Sequence, residues 1–390
     1  MSGQNKFSDK LFERGVEQIY PSREELDKFL AEGNKLKIFY GIDPTGSTLH
    51  IGHGSNLLRL KALQEAGHEI TILYGDFTAM IGDPTDKLSA RKKLLPEQIK
   101  ENYASYRDQI GRILDLKKTK FTFNKDWLGS MSFAEVVEIA SEFTVGQMIE
   151  RDMFQERIKN GEPIYIHEFL YPLMQGYDSV MMDINAEMGA SDQIFNMLAG
   201  RTMMKRRGRE KFVIANKLLV DPTGKKMGKS EGNMVALSDD PKDMYGKVMS
   251  WPDSLMPLAF EICTELPALM VAEILAGNPR DAKMRLAKEI VSIFASPEEA
   301  EHAEADFISK FQDKEIPDDI PEIGATKNML LRDILVTAEA VSSNSDFRRL
   351  VEGGGVTILP DTKVVDVDLK VTNEMVVKVG KKKFFKITLN

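Results

Sequence analysis

Lys37-Ile38-Phe39-Tyr40-Gly41-Ile42, Asp43-Pro44-Thr45-Gly46-Ser47, His50-Ile51-Gly52-His53 and Glu69-Ile70-Thr71-Ile72-Leu73-Tyr74-Gly75 read as consecutive parts of one unit. The first and last are short apolar runs rich in β-branched and aromatic residues, and the second has turn chemistry, so a strand, a turn and a later strand are expected. Between them, Ile51 to Ala66 carries Leu57, Leu58, Leu60, Ala62 and Leu63 at helical spacing. Strand, helix and strand in that order form the crossover of a parallel sheet, and such sheets bind ligands at the carboxyl ends of their strands. His50 and His53 fall on that edge, at a helix N-terminus where backbone N–H groups and the helix dipole favour an anion. Gly52 between them leaves room for a planar ring.

Far downstream, Lys226-Met227-Gly228-Lys229-Ser230 sits in a Gly-flanked stretch. Two ammonium groups and a hydroxyl on a loop suit the neutralisation of charge that develops on a polyphosphate. Each string alone fits a plainer reading, a polar helix start or a solvated basic turn. Their presence together in one chain favours phosphate chemistry. Tyr171, Gln175 and Asp178 are spaced by four and three, which puts them on one helix face among Leu170, Leu173, Met174 and Val180. Buried acceptors without partners are costly, so that face is expected to meet a ligand that carries donors.

These residues resemble the class I aminoacyl-tRNA synthetases, with their His-x-Gly-His and Lys-Met-Ser-Lys-Ser signatures, and most nearly the bacterial tyrosyl family. Leu170 to Asp178 is similar to that family's amino-acid-binding helix, and Gly189-Ala190-Ser191-Asp192-Gln193 to its Gly-Gly-Ser/Thr-Asp-Gln loop. Gly75-Asp76-Phe77-Thr78-Ala79-Met80-Ile81-Gly82-Asp83-Pro84 looks like the segment after the family's second strand. The likeness runs from about Lys37 to Asn390. It implies an α/β protein: a Rossmann-like parallel-sheet catalytic domain over 1–230, an α-helical anticodon-binding domain with linker over 231–324, and a small α+β RNA-binding domain over 325–390.

It further implies activation of L-tyrosine by ATP, with Mg2+ and no tightly bound organic cofactor, and transfer to tRNA(Tyr). Carried over by resemblance, His50, His53, Thr45, Lys226, Lys229 and Ser230 are catalytic. Asp83, Tyr171 and Gln175 hold the substrate ammonium, Asp178 accepts the phenol, and Phe39 and Gln193 complete the tyrosine site. Gly41, Asp43, Gly52, His53, Asp192, Met227 and Lys229 belong to ATP, and no resident metal site is expected. The chain departs from the family at Phe39, where many members carry Tyr, and at Gly228 in place of the usual Ser, which makes the loop more flexible. Asn56, read as a turn residue, varies among relatives.

With 390 residues the chain is long enough for two or three domains. One cysteine, Cys263, precludes an internal disulfide and a multi-thiolate metal site. The polar start and the lack of a long apolar run point to the cytoplasm, with no membrane partner. A net charge of -8 does not exclude an RNA partner, because charge distribution matters more than its sum. Lys205-Arg206-Arg207-Gly208-Arg209-Glu210-Lys211 and Lys381-Lys382-Lys383 are candidate phosphate contacts. Arg348 and Arg349 occupy the RNA-contacting helix that the resemblance implies.

Lys6 to Gly33 reads as helices, with Ser22 capping and Glu25 reciprocating. Glu97 to Leu116 and Asp192 to Arg206 read as helices, and Lys120 to Asn124, Met182 to Ala186 and Lys211 to Asn216 as strands. Pro241 to Ser296 reads as helical and Glu299 to Gly324 as an acidic linker. A helical pair, Leu330 to Ala338 and Ser345 to Glu352, leads through Gly353-Gly354-Gly355 to strands at Val356 to Ile358 and Phe384 to Ile387. The resemblance implies a homodimer, with Met131 to Met153 as a candidate helical interface. Two rivals differ in class. A small-molecule nucleotidylyltransferase would not need the Lys226 loop or the tail, and a noncatalytic RNA-binding paralogue would lack the phosphate ligands. Within the class, Asp178 with Gln175 argues for a phenol over an indole.

Overall fold

The computed structural model describes residues 11–84, 94–220, 234–315, 320–359, 362–380 and 383–389. These fall into two compact units, 1–304 and 305–390. The first holds six strands: β1 (Val16–Tyr20), β2 (Lys37–Ile42), β3 (Glu69–Tyr74), β4 (Thr119–Phe123), β5 (Ala186–Ala190) and β6 (Phe212–Asn216). Their order is β1-β6-β5-β2-β3-β4. All neighbours are parallel except β1, which runs antiparallel to β6. Successive strands lead outward from β2 on one side and from β5 on the other, so the crevice between them is the switch point where such sheets bind ligands.

The crossover expected around His50 is present, with helix α1 (Ile51–Glu65) joining β2 to β3. Leu57, Leu58, Leu60 and Leu63 are buried, and Ala62 is half-buried. Asn56 lies within α1, not in a turn. Helices α2 (Ile166–Met181) and α3 (Ile194–Arg206) pack closely because Gly176 and Gly200 face each other: a Cβ on Gly176 would fall 2.9 Å from the Gly200 nitrogen.

Three sequence expectations need correction. Lys6 to Gly33 is not all helix, because Val16–Tyr20 forms an edge strand whose partner is about two hundred residues away. Ser22 does cap the helix Arg23–Ala31 by accepting from the Glu25 N–H. The strand placed at Met182 to Ala186 begins at Ala186, and Met182 instead caps α2. The stretch Glu299 to Gly324, expected as an acidic linker, is helical as far as Glu315. Pro297–Glu315 is helical, with Glu298 and Glu299 in its first turn, where the dipole favours acidic residues.

Helices Pro241–Met249, Met256–Cys263, Ala268–Leu275 and Pro279–Phe294 follow the sheet. Lys283, Arg285 and Lys288 are each held by an acid, Asp253, Glu289 and Glu304. The second unit contains a sheet ordered β7-β11-β10-β8-β9: β7 (Glu322–Ala325), β8 (Val356–Ile358), β9 (Thr362–Lys363), β10 (Met375–Val379) and β11 (Lys383–Leu389). β7 runs parallel to β11. Helices Leu331–Thr337 and Asn344–Glu352 bury Leu331, Leu335 and Phe347 with Val377 and Ile387 in one core.

Candidate active site

A cleft of about 380 Å³ opens at the switch point. Phe39, Gly41, Asp43, Thr45, His50, Gly52, His53, Asp83, Tyr171, Gln175, Asp178, Asp192 and Gln193 all line it. Residues 37 to 216 thus bring together every site residue expected there. Lys226, Met227, Gly228, Lys229 and Ser230 lie outside the described residues. Before them Leu218 and Leu219 line the cleft, and after them the Val235 carbonyl accepts from the Ile51 N–H at 2.9 Å, next in chain to His50 and Gly52.

The two imidazoles cap α1. Nδ1 of His50 accepts from the Gly52 N–H at 3.1 Å, and Nδ1 of His53 accepts from the His50 N–H at 3.2 Å. The rings lie 3.9 Å apart, centroid to centroid. With Nδ1 of each accepting, the ring proton sits on Nε2, so each neutral imidazole carries its donor edge away from the cap. A Cβ on Gly52 would fall 3.0 Å from His50 Cε1, so the open space at Gly52 is shared with that ring.

Asp178 lines the cleft. It is 2% exposed and accepts from Trp127 Nε1 at 2.8 Å and Asn124 Nδ2 at 3.3 Å. Burial pushes its carboxyl well above the usual carboxylate range, against those two donors and with the help of Glu187 and Asp43. One turn of helix away, Gln175 donates to Glu187 Oε1 at 2.9 Å. The Tyr171 hydroxyl donates to Asp43 Oδ2 at 2.8 Å, and Thr78 Oγ donates to the other Asp43 oxygen at 2.7 Å. Burial and the Asp43 charge hold the Tyr171 phenol well above its ordinary value. Gly75 is required by this arrangement, since a Cβ there would lie 2.0 Å from Asp43 Oδ1. Asp83 accepts from Gln193 Nε2 at 2.7 Å.

The Tyr171 hydroxyl proton and one Gln175 N–H therefore already serve carboxylates, which leaves the oxygen of each side chain as an acceptor for a ligand. With Asp83 and Asp178 this lines the cleft with oxygen acceptors. A ligand that carries an ammonium and a hydroxyl would satisfy them.

Sequence reasoning missed the partners. Asn124 and Trp127 lie at the C-terminal end of β4, the edge where ligands bind, and that position was the available signal. Glu187 is a charge inside an otherwise apolar strand. Asn56 is buried, 3.4 Å from the Tyr40 hydroxyl and 2.7 Å from Asn216. The basic run is largely committed within the protein: Arg207 pairs with Glu142, Arg209 with Asp183 and buried Lys211 with Glu187. Arg348 and Arg349 are exposed on Asn344–Glu352, with Arg349 2.9 Å from Asp346. Lys381 and Lys382 lie outside the described residues, and Lys383 is exposed.

The family described as tRNA synthetases class I (W and Y) matches residues 31–312. The tyrosine–tRNA ligase of Carboxydothermus hydrogenoformans is 43% identical over 97% of this chain and 97% of its own. That of Thermotoga maritima is 41% identical over 97% and 96%. Among solved structures, a C-terminally truncated mitochondrial tyrosyl-tRNA synthetase from Aspergillus nidulans aligns with a TM-score of 0.65 at 23% identity, over 78% of this chain and 94% of that one. An Archaeoglobus fulgidus tyrosyl-tRNA synthetase complexed with L-tyrosine gives 0.59 at 21%, over 77% and 99%. At these identities the structural matches speak for the fold.

Proposed function

Because the chain belongs to the class I tRNA synthetases of the tryptophan and tyrosine family, we propose that it activates L-tyrosine with ATP and transfers the tyrosyl group to tRNA(Tyr). The observation that carries the choice of amino acid is the buried Asp178 in the lining of the cleft, oriented by Trp127 and Asn124. The hydroxyl of a phenol would donate to it.

In this reading the substrate ammonium meets Asp83, the Tyr171 oxygen and the Gln175 oxygen, while Phe39 packs beside the ring and Gln193 faces the carboxylate. That carboxylate is ionised at neutral pH, so its attack on the α-phosphorus needs no side-chain base. The P–O bond to pyrophosphate breaks as the acyl–phosphate bond forms. Catalysis is then positioning and charge stabilisation. ATP, taken as its Mg2+ complex, lies along Gly41, Asp43 and Gly52, with its ribose at Asp192. His50, His53 and Thr45 grip the phosphates at the helix end, and Lys226, Met227, Lys229 and Ser230, by their likeness to the family's second signature, serve the same phosphates. The terminal ribose hydroxyl of tRNA then attacks the tyrosyl carbonyl and AMP leaves.

Residues 231–324 would serve the anticodon and 325–390 a further part of the tRNA, through Arg348 and Arg349. A homodimer is part of the same proposal. It is supported by Phe133 and Val137, 83% and 52% accessible and one turn apart on the helix Phe133–Ser141. Among the described residues no helix is long and apolar enough to cross a membrane, and a cytoplasmic site of action fits translation. ATP–pyrophosphate exchange with tyrosine, phenylalanine and tryptophan side by side tests the assignment. Tyrosine should dominate, and equal or greater exchange with tryptophan would overturn it.

A further inference from the structure

One ion pair in the wall of the cleft has no place in the reaction just described. Lys211 is wholly buried, and its ammonium meets the Glu187 carboxylate, Ser179 Oγ at 2.8 Å and the Met197 carbonyl at 3.0 Å. Its three protons are thereby all used. Glu187 is 1% exposed and pairs in register with Phe39 across β5 and β2. Lys211 lies behind it, with Nζ 5.8 Å from the Phe39 ring centroid. Room for the ammonium comes from Gly200, where a Cβ would fall 2.4 Å from Nζ. Replacing a buried ion pair by apolar groups of similar shape is often neutral or stabilising, so stability alone does not account for a pair that the packing makes room for.

Its consequence falls on Gln175. An ionised carboxylate only accepts, so the Gln175 amide must turn its NH2 to Glu187, at 2.9 Å, and keep its oxygen for another donor. A protonated or amide side chain at 187 could donate instead. The Gln175 amide would then be free to turn over and offer N–H to a cation. We propose that Lys211 and Glu187 are positioning residues, which hold the Gln175 oxygen in place as an acceptor for the ammonium of the amino-acid substrate. This rests on the reading of the cleft as a tyrosine site.

Pyrophosphate exchange tests it in the full-length protein and in Glu187→Gln, Lys211→Met and the double variant. Two inhibitors report the mechanism: tyramine, which keeps the ammonium, and 3-(4-hydroxyphenyl)propionate, which lacks it. In Glu187→Gln, Lys211 claims the new carbonyl oxygen and turns the new NH2 toward Gln175. The KM for tyrosine should then rise about tenfold, the scale of one charge-assisted hydrogen bond, with kcat and the KM for ATP within about twofold. Inhibition by tyramine should weaken in parallel while that by the propionate is unchanged. Equal weakening of both inhibitors would mean general distortion of the cleft and overturn the proposal, as would an unmoved tyrosine KM. If Lys211→Met fails to give a cooperative melt, Glu187→Gln, which keeps the side-chain volume, decides. A parent protein without tyrosine-dependent exchange would sink the synthetase reading itself, whereas an active parent with unmoved variants sinks only the positioning pair.

Discussion

Replacing His50 by Asn and, separately, by Ala divides the work of its imidazole into two measurable parts. One part is local: Nδ1 accepts the Gly52 N–H at 3.1 Å and so satisfies one of the donors that a helix start leaves open. The Oδ1 of Asn is attached to Cγ as Nδ1 is, and Asn is among the best capping residues, so His50→Asn should melt within about 0.5 kcal/mol of the parent. His50→Ala should lose about 1 kcal/mol, on the order of 2 °C in Tm for a protein of this size. The other part is the Nε2 edge, which neither variant retains. If that edge stabilises charge on the departing pyrophosphate, both should slow adenylate formation about a hundredfold, or about 3 kcal/mol. Urea or thermal melts give the first quantity, and single-turnover adenylate formation gives the second. An Asn variant as active as the parent would reduce His50 to a cap and refute its phosphate role. Equal destabilisation by Asn and Ala would refute the capping argument.

Asp178→Asn replaces a carboxyl that accepts from Asn124 and Trp127 by an amide that can turn an NH2 toward those donors. It should cut kcat/KM for tyrosine in pyrophosphate exchange by about tenfold to a hundredfold, the scale of a hydrogen bond to a charged group, and leave that for phenylalanine little changed. Burial, with Lys35 second, lowers the His68 pKa from 6.5 to about 4, while its Nδ1 accepts the Leu36 N–H at 3.2 Å. The unfolded chain takes up this proton first as pH falls, so His68 contributes stability above 6.5 that is lost on the way down through about 4. Urea midpoints across that window should therefore fall less steeply in His68→Asn. Removing 321–390 should abolish tRNA charging and spare tyrosyl-adenylate formation, and equal loss of both would refute the RNA role of the tail.

What could be read in the chain was what its local patterns encode. The β2–α1–β3 crossover announces itself through two apolar runs, a turn and a leucine stripe, and the acceptors of α2 through a spacing of four and three. β1 could not be found that way, because Glu17 and Gln18 interrupt its pattern and only pairing with β6 makes it a strand. Glu187 made β5 appear to end early. A charge inside a buried strand is tenable only with Lys211 beside it, and Lys211 itself looked like the end of a solvated basic run. The orientation of Tyr171 and Gln175 was hidden for the same reason, since Asp43, just after β2, and Glu187, in β5, lie elsewhere in the chain.

The parallel pairing of β7 with β11 sets a timetable for synthesis. Glu322–Ala325 opens the small sheet, yet among the described residues its neighbour in it is Lys383–Leu389, made much later along the chain. Until that strand has been made, β7 carries backbone donors and acceptors with no strand to receive them, the condition that invites pairing with another chain. A nascent polypeptide stalled or cut before Lys383 would lack the strand that joins β7 to the rest of the sheet, so the synthesis of that one segment decides whether this unit closes.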